Sequence, residues 1–175
     1  MAGFLQILKD RVAMLSLLKE SNLLQKLPVT LCAVTLFVVS SSAWSADFTI
    51  VDGQFVTSTQ TLLTGETGTI NSGGDLTSSS HAISGGASNI TVLNNGAIKT
   101  TSSGGYVAIY LFNNSGTNTI TNNGTIATIG TYGRGIYSSN NSGTTTFINS
   151  GTITTGEGGR GVFSSTNSGT NTITN

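Results

Sequence analysis

AIYLFNNSGTNTITNNGTIAT (residues 108–128), GIYSSNNSGTTTFINSGTITT (135–155) and GVFSSTNSGTNTITN (161–175) are one unit written three times. Each copy holds short β-branched segments separated by clusters of Asn, Ser and Gly, which mark turns. No segment shows the helical period of apolar residues. Extending the alignment upstream gives three apolar columns. Ile83, Ile109, Ile136 and Val162 recur at spacings of 26, 27 and 26. Ile70, Val92, Ile120, Phe147 and Ile173 recur at 22, 28, 27 and 26, and Leu76, Ile98, Ile126 and Ile153 at 22, 28 and 27. Helical and Leu-rich repeats do not fit this composition. Three short strands per turn, each stacked about 4.8 Å from its counterpart in the next turn, make a three-sided parallel β-helix. The fold class is therefore all-β, with the columns as internal stacks.

Composition agrees. The 175 residues include 23 Gly but one Pro, one Cys and one Trp, and 8% are charged. Disorder usually goes with high net charge and few β-branched residues; here the net charge is zero and Thr, Ile and Val abound. Nothing is basic enough to attract nucleic acid. The turns Asn95-Gly96, Asn123-Gly124 and Ser150-Gly151 recur, read as sites where Gly supplies positive φ and Asn tolerates it. Stacked Asn side chains are also able to bond from rung to rung. At most four complete rungs are predicted, with an N-terminal cap between Phe48 and Leu63. The sequence stops at NTITN, inside a rung, which predicts a fragment of a longer protein.

The first 45 residues read differently. Lys9, Arg11, Lys19 and Lys26 precede the apolar run LPVTLCAVTLFVV (Leu27–Val39), and SSSAWSA follows. Positive region, short apolar region and small-residue cleavage site, in that order, are the features of a secretory signal. The run is too short to span a bilayer, which takes about 20 apolar residues. Cleavage is expected between Ser45 and Ala46, with Ala43 and Ser45 at the two small-residue positions; a cut after Ala43 is the second choice. Residues 1–45 are thus a helical leader and 46–175 the exported part. The leader is long, so the true start is Met1 or Met14. Leu5, Leu8, Val12, Leu15 and Leu18 also follow a helical period, which leaves open an amphipathic helix on the inner membrane surface. Cys32 lies inside the apolar run rather than after it, which argues against lipidation. The exported part has no Cys and hence no disulfide framework. It carries five acids (Asp47, Asp52, Glu66, Asp75, Glu157) and three bases (Lys99, Arg134, Arg160).

Five features bear on chemistry. GEGGRG (Gly156–Gly161) has the G-x-G-x-x-G spacing of a dinucleotide loop, but a strand and turn follow it, not a helix, and no acid lies downstream. It reads as a turn between strands, so no cofactor is expected. His81 aligns with Val107, Arg134 and Arg160 and reads as part of a solvated turn; no Cys, Asp or Glu aligns nearby to make a metal site. Arg134 and Arg160 stack on successive rungs and repel unless they fan apart or Glu157 helps. A solvated turn is preferred there over a small anion-binding strip. Tyr110, Tyr137 and Phe163 each follow an Ile/Val-column residue, so strand alternation points them outward. That aromatic column either stabilises the sheet, the preferred reading, or binds a partner or a sugar. The scattered acids supply neither the paired carboxylates of most glycosidases nor, with one His, a Ser-His-Asp set. No catalytic residue is expected, and the chain reads as a non-enzyme.

A long leader ending SSSAWSA, a Cys-free exported chain and repeats of the type NSGTITT…GRGI(Y/F)SS resemble the passenger of a bacterial autotransporter of type V secretion. The resemblance implies a right-handed β-helical passenger, exported by the Sec machinery, cut by signal peptidase and carried across the outer membrane by a C-terminal β-barrel. That barrel, and with it the outer-membrane assembly machinery it would engage, is outside these residues. Two functions follow: a surface-displayed or secreted structural or adhesive passenger that meets a host or neighbouring-cell ligand, or a β-helical polysaccharide-acting enzyme whose catalytic rungs lie beyond residue 175.

Overall fold

The structure, a computed structural model, describes residues 47–175. The expected leader and its cleavage point at Ser45 and Ala46 lie outside the described residues. The first rung is β1 (Phe48–Ile50), β2 (Phe55–Val56) and β3 (Gln60–Leu62). The second is β4 (Thr67–Ile70), β5 (Asp75–Ser78) and β6 (Ile83–Gly85), and the third β7 (Thr91–Asn94), β8 (Ala97–Thr100) and β9 (Val107–Phe112). The fourth is β10 (Thr117–Asn122), β11 (Thr125–Thr128) and β12 (Arg134–Ser139), and the fifth β13 (Thr144–Asn149), β14 (Thr152–Thr154) and β15 (Arg160–Ser165). β16 (Asn171–Thr174) follows. Every third strand joins the same sheet, in the orders β1-β4-β7-β10-β13-β16, β2-β5-β8-β11-β14 and β3-β6-β9-β12-β15. All pairings are parallel. The chain is a three-sided parallel β-solenoid.

Alternation decides which residues fill it. In β4, β5, β8 and β11 buried and half-exposed positions alternate one for one. Two of the expected columns hold in register: Ile83-Ile109-Ile136-Val162 and Leu76-Ile98-Ile126-Ile153. Burying such side chains contributes about 1.5–3 kcal/mol each.

The third column holds in register from Val92 through Ile120 and Phe147 to Ile173 and is corrected only at its first member. Ile70 pairs with Asn94, and Val92 pairs with Gly68. The ring of Phe48 lies over Gly68, in the space a side chain there would take. Phe48 thus stands for the missing apolar residue of that rung, and Ile50 stacks on Ile70. The segment expected as a cap is corrected too. Residues 48–62 pair in register with the next rung on all three sides, so they belong to the solenoid itself.

Two residues beyond the Val92-Ile120-Phe147 column, on the same inner face, stands a column of amides. Asn94 Nδ2 donates to Asn122 Oδ1, Asn122 Nδ2 to Asn149 Oδ1 and Asn149 Nδ2 to Asn175 Oδ1, each at 2.7 Å. Asn94 and Asn122 are fully buried. A second set lies at the β9–β10 corner, where Asn141 Oδ1 accepts from the Asn114 backbone N–H and Asn167 Oδ1 from that of Asn141, at 2.8 and 2.7 Å. Rung-to-rung amide bonding therefore occurs mainly one residue before the Asn-Gly turns. The turn residue Asn123 does bond Asn95, but at the exposed surface.

The expected role of the turn glycines changes as well. Gly96, Gly124 and Gly151 do not have positive φ. A Cβ on Gly124 would collide with the carbonyl oxygen of Gly96 on the rung before. Close approach of successive backbones, not handedness, excludes a side chain there. Positive φ falls instead on Asn113, Asn140 and Thr166 at one corner, one per rung. Asn adopts that conformation readily; a β-branched residue is strained in it.

Two stability predictions follow from these columns. Asn122→Leu removes a donor and an acceptor inside the solenoid and is expected to cost about 2–4 kcal/mol. Asn123→Ala on the surface is expected to cost under about 0.5 kcal/mol; equal urea midpoints for the two variants would reject the buried ladder. Thr166→Asn relieves the strained corner and is expected to gain about 1 kcal/mol; a lower unfolding midpoint for it would contradict the corner geometry.

Candidate surface site: an aromatic and arginine ladder

The most chemically distinctive surface lies on the outer face of β9, β12 and β15. Ile109, Ile136 and Val162 stand in one inward register, and the residues after them, Tyr110, Tyr137 and Phe163, pair in the next. Their rings stack outside the sheet. The Tyr110 and Tyr137 centroids are 5.3 Å apart with planes 12° from parallel, and those of Tyr137 and Phe163 5.3 Å apart at 25°. Offset stacks of this kind contribute about 0.5–1.5 kcal/mol per pair beyond area burial. Tyr137 Oη and Ser165 Oγ are 2.9 Å apart, and Tyr110 Oη and Ser139 Oγ 3.4 Å, so each hydroxyl is tied to the rung after its own.

The ladder is wider than its sequence column. Phe112 stacks on Tyr110 at 5.1 Å. His81 tilts against Tyr110 at 5.1 Å and meets Tyr106 edge-on at 5.5 Å. The solvated-turn reading of His81 is therefore corrected. Its imidazole heads the ladder, and its Nδ1 accepts the backbone N–H of Val107 at 3.0 Å. That bond requires an unprotonated Nδ1. Burial holds the group below the ordinary value of 6.5.

Arg134 and Arg160 are also moved from the solvated turn. The Arg134 guanidinium lies 4.6 Å from the Tyr137 centroid and 5.0 Å from that of Phe163. Arg160 lies 4.1 Å from the Phe163 centroid. Cation–π attraction, about 0.5–1 kcal/mol at exposed sites, answers the like-charge problem without Glu157. Two-residue alternation would send Arg134 to the same side as Ile136. Strict alternation does not hold here: Val107, Ala108 and Ile109 are all buried in β9, as are Gly135 and Ile136 in β12, and Arg134 meets Tyr137 on the outer face. Neither guanidinium makes a hydrogen bond or ion pair with another described residue; the one ion pair among the described residues is Lys99 Nζ to Asp75 Oδ2, 2.6 Å, on another sheet.

The remaining candidates do not assemble. GEGGRG is a turn from β14 into β15: Gly159 N–H donates to the Gly156 carbonyl at 3.0 Å, and Gly158 holds φ +65°. Tyr132 takes the equivalent place one rung earlier, and its ring lies over Gly158. The acids serve locally. Asp47 Oδ1 accepts from Thr67 N–H at 2.7 Å and Glu66 Oε2 from Leu63 N–H at 2.6 Å. Among the described residues no three His, Cys, Asp or Glu side chains gather to hold a metal ion. Comparison with protein-family models, with curated proteins and with solved structures gives no match.

The His81 geometry has a pH consequence. Its folded pKa is depressed, so the unfolded chain takes up the proton first. The contribution to stability is complete above about pH 6.5 and is lost as pH falls through the folded value. Urea midpoints of the wild type and His81→Gln, compared from about pH 8 down to about pH 5, are expected to converge on acidification. A difference that stays constant would show that His81 is not held neutral by its burial.

Proposed function

We propose that the chain is the β-helical passenger part of an autotransporter, displayed at the bacterial surface or secreted, with a structural or adhesive and non-enzymatic role. The observation that carries this reading is the outward aromatic and arginine ladder on a solenoid that needs no disulfide. The three successive strands β9, β12 and β15 present rings in register, Tyr110, Tyr137 and Phe163, so a contact surface extends along the axis over these rungs. The absence of Cys from residues 46–175 suits passage through the periplasm, because no disulfide locks the chain before it crosses the outer membrane. The leader supplies the export signal, read by the Sec machinery and cut by signal peptidase. A host or neighbouring-cell surface is the partner this arrangement serves.

Intact cells of the source bacterium, treated with protease and probed with antibody to residues 47–175, test the proposal. The expected result is an antigen accessible from outside whose N-terminus, by sequencing, is Ala46. An uncleaved antigen that resists protease until the cells are lysed would defeat it.

A further inference from the structure

We propose that Arg134 and Arg160, set on the Tyr137 and Phe163 rings, form a binding strip for an acidic polysaccharide. The proposal deepens the adhesive reading and rests on it for its biological setting. Each guanidinium has one face turned to an aromatic ring, and its N–H donors make no hydrogen bond to the described protein. A planar cation held in this way keeps its edge free to take two oxygens of a carboxylate or sulfate. The two residues stand in register on adjacent strands, about 4.8 Å apart along the axis. An anion-bearing polymer laid along the solenoid axis therefore meets a cation on each of two successive rungs, those of β12 and β15. Glu157, three residues before Arg160, forms no ion pair with either arginine, so the strip is not neutralised from within.

Other polymers fit less well. A peptide adding to a sheet needs a free strand edge. Here β12 is paired on both sides, with β9 and β15, and although β15 is the end strand of its sheet, Arg134 and Arg160 lie across the two strands on the sheet's face rather than along that edge. A nucleic acid needs many phosphate contacts, and residues 46–175 carry three basic residues against five acidic ones. What the face offers is ring edges, the hydroxyls of Tyr137 and Ser165 and two forked cations. Those match the C–H surface, hydroxyls and anionic groups of an acidic sugar chain. Neutral sugars that stack on open aromatic faces find most of these faces already occupied by neighbouring rings.

The test uses the purified full chain, titrated with hyaluronate, dextran sulfate, neutral dextran and poly-glutamate. Hyaluronate and dextran sulfate distinguish carboxylate from sulfate as the preferred anion. Binding of at least one of them is expected, weakening with added salt, with none for dextran and a marked deficit for poly-glutamate. Arg134→Gln and Arg160→Gln are each expected to weaken binding about tenfold, and the double variant to abolish it while keeping the wild-type strand circular dichroism. Lysine at both positions keeps the charge but loses the fork, and is expected to fall short of wild type. Failure of the folded wild type to bind either acidic polysaccharide overturns the proposal. So does an unaffected double glutamine variant, full activity of the lysine variant, or equal binding of poly-glutamate. A chain that reaches the surface yet fails to bind removes the strip and leaves surface display standing. A chain that binds but is never exported does the reverse.

Discussion

Backbone pairing between successive rungs is the constraint on which everything else depends. A strand in the middle of each sheet meets its hydrogen-bonding needs from the rung before and the rung after, not from its own neighbours in sequence. Those partners stand about 4.8 Å away, and a one-residue slip would turn every inward side chain outward. Residues at equivalent positions must therefore stack. Like on like is favourable for three kinds of side chain used here: aliphatic groups in the interior, amides that both donate and accept, and flat rings. It is unfavourable for like charges, and the molecule has few of them.

The interior is accordingly a set of parallel wires rather than one uniform core. Ile98 on Ile126 and Ile109 on Ile136 form apolar wires, while Asn94-Asn122-Asn149 forms a polar one beside them. A buried amide is costly when unpaired and specific when paired. The asparagine wire thus fixes register against a two-residue shift, which would keep the apolar face inward. The ion pair Lys99–Asp75 adds little, because its side chains are 45% and 24% exposed and surface pairs contribute about 0–1 kcal/mol.

The outer ladder obeys the same rule with a different solution. Arg134 and Arg160 are stacked because their strands are stacked, and the rings beneath them supply the compensation that an alternating acid would supply elsewhere. Among the described residues the hydrogen-bonding edges of both guanidinium groups have no partner. That is why a feature required by the fold is also the best candidate for recognition on this surface. Two of the acids, by contrast, accept backbone N–H groups, Asp47 from Thr67 and Glu66 from Leu63, and Asp75 pairs with Lys99.

By itself the sequence determined the three-sided parallel solenoid, two of its three apolar columns and the outward direction of Tyr110, Tyr137 and Phe163. Those follow from local composition and a repeat period, which survive turns of different length. Tertiary structure decided what depends on register and on breaks in alternation. Ile70 and Val92 lie 22 residues apart and look equivalent, but Gly68, covered by the Phe48 ring, is the true partner of Val92. A glycine contributes no hydrophobic signal to a column. The rung at 48–62 looked like a cap because its strands are short and its match to the repeat is poor. The contact of Arg134 with the rings was hidden because strict two-residue alternation fails in β12, where Gly135 and Ile136 are both buried, and that of His81 because it lies before β6, outside any strand, where alternation says nothing of direction. Period and composition are properties of the chain; which atoms meet across rungs is fixed only when the backbones pair.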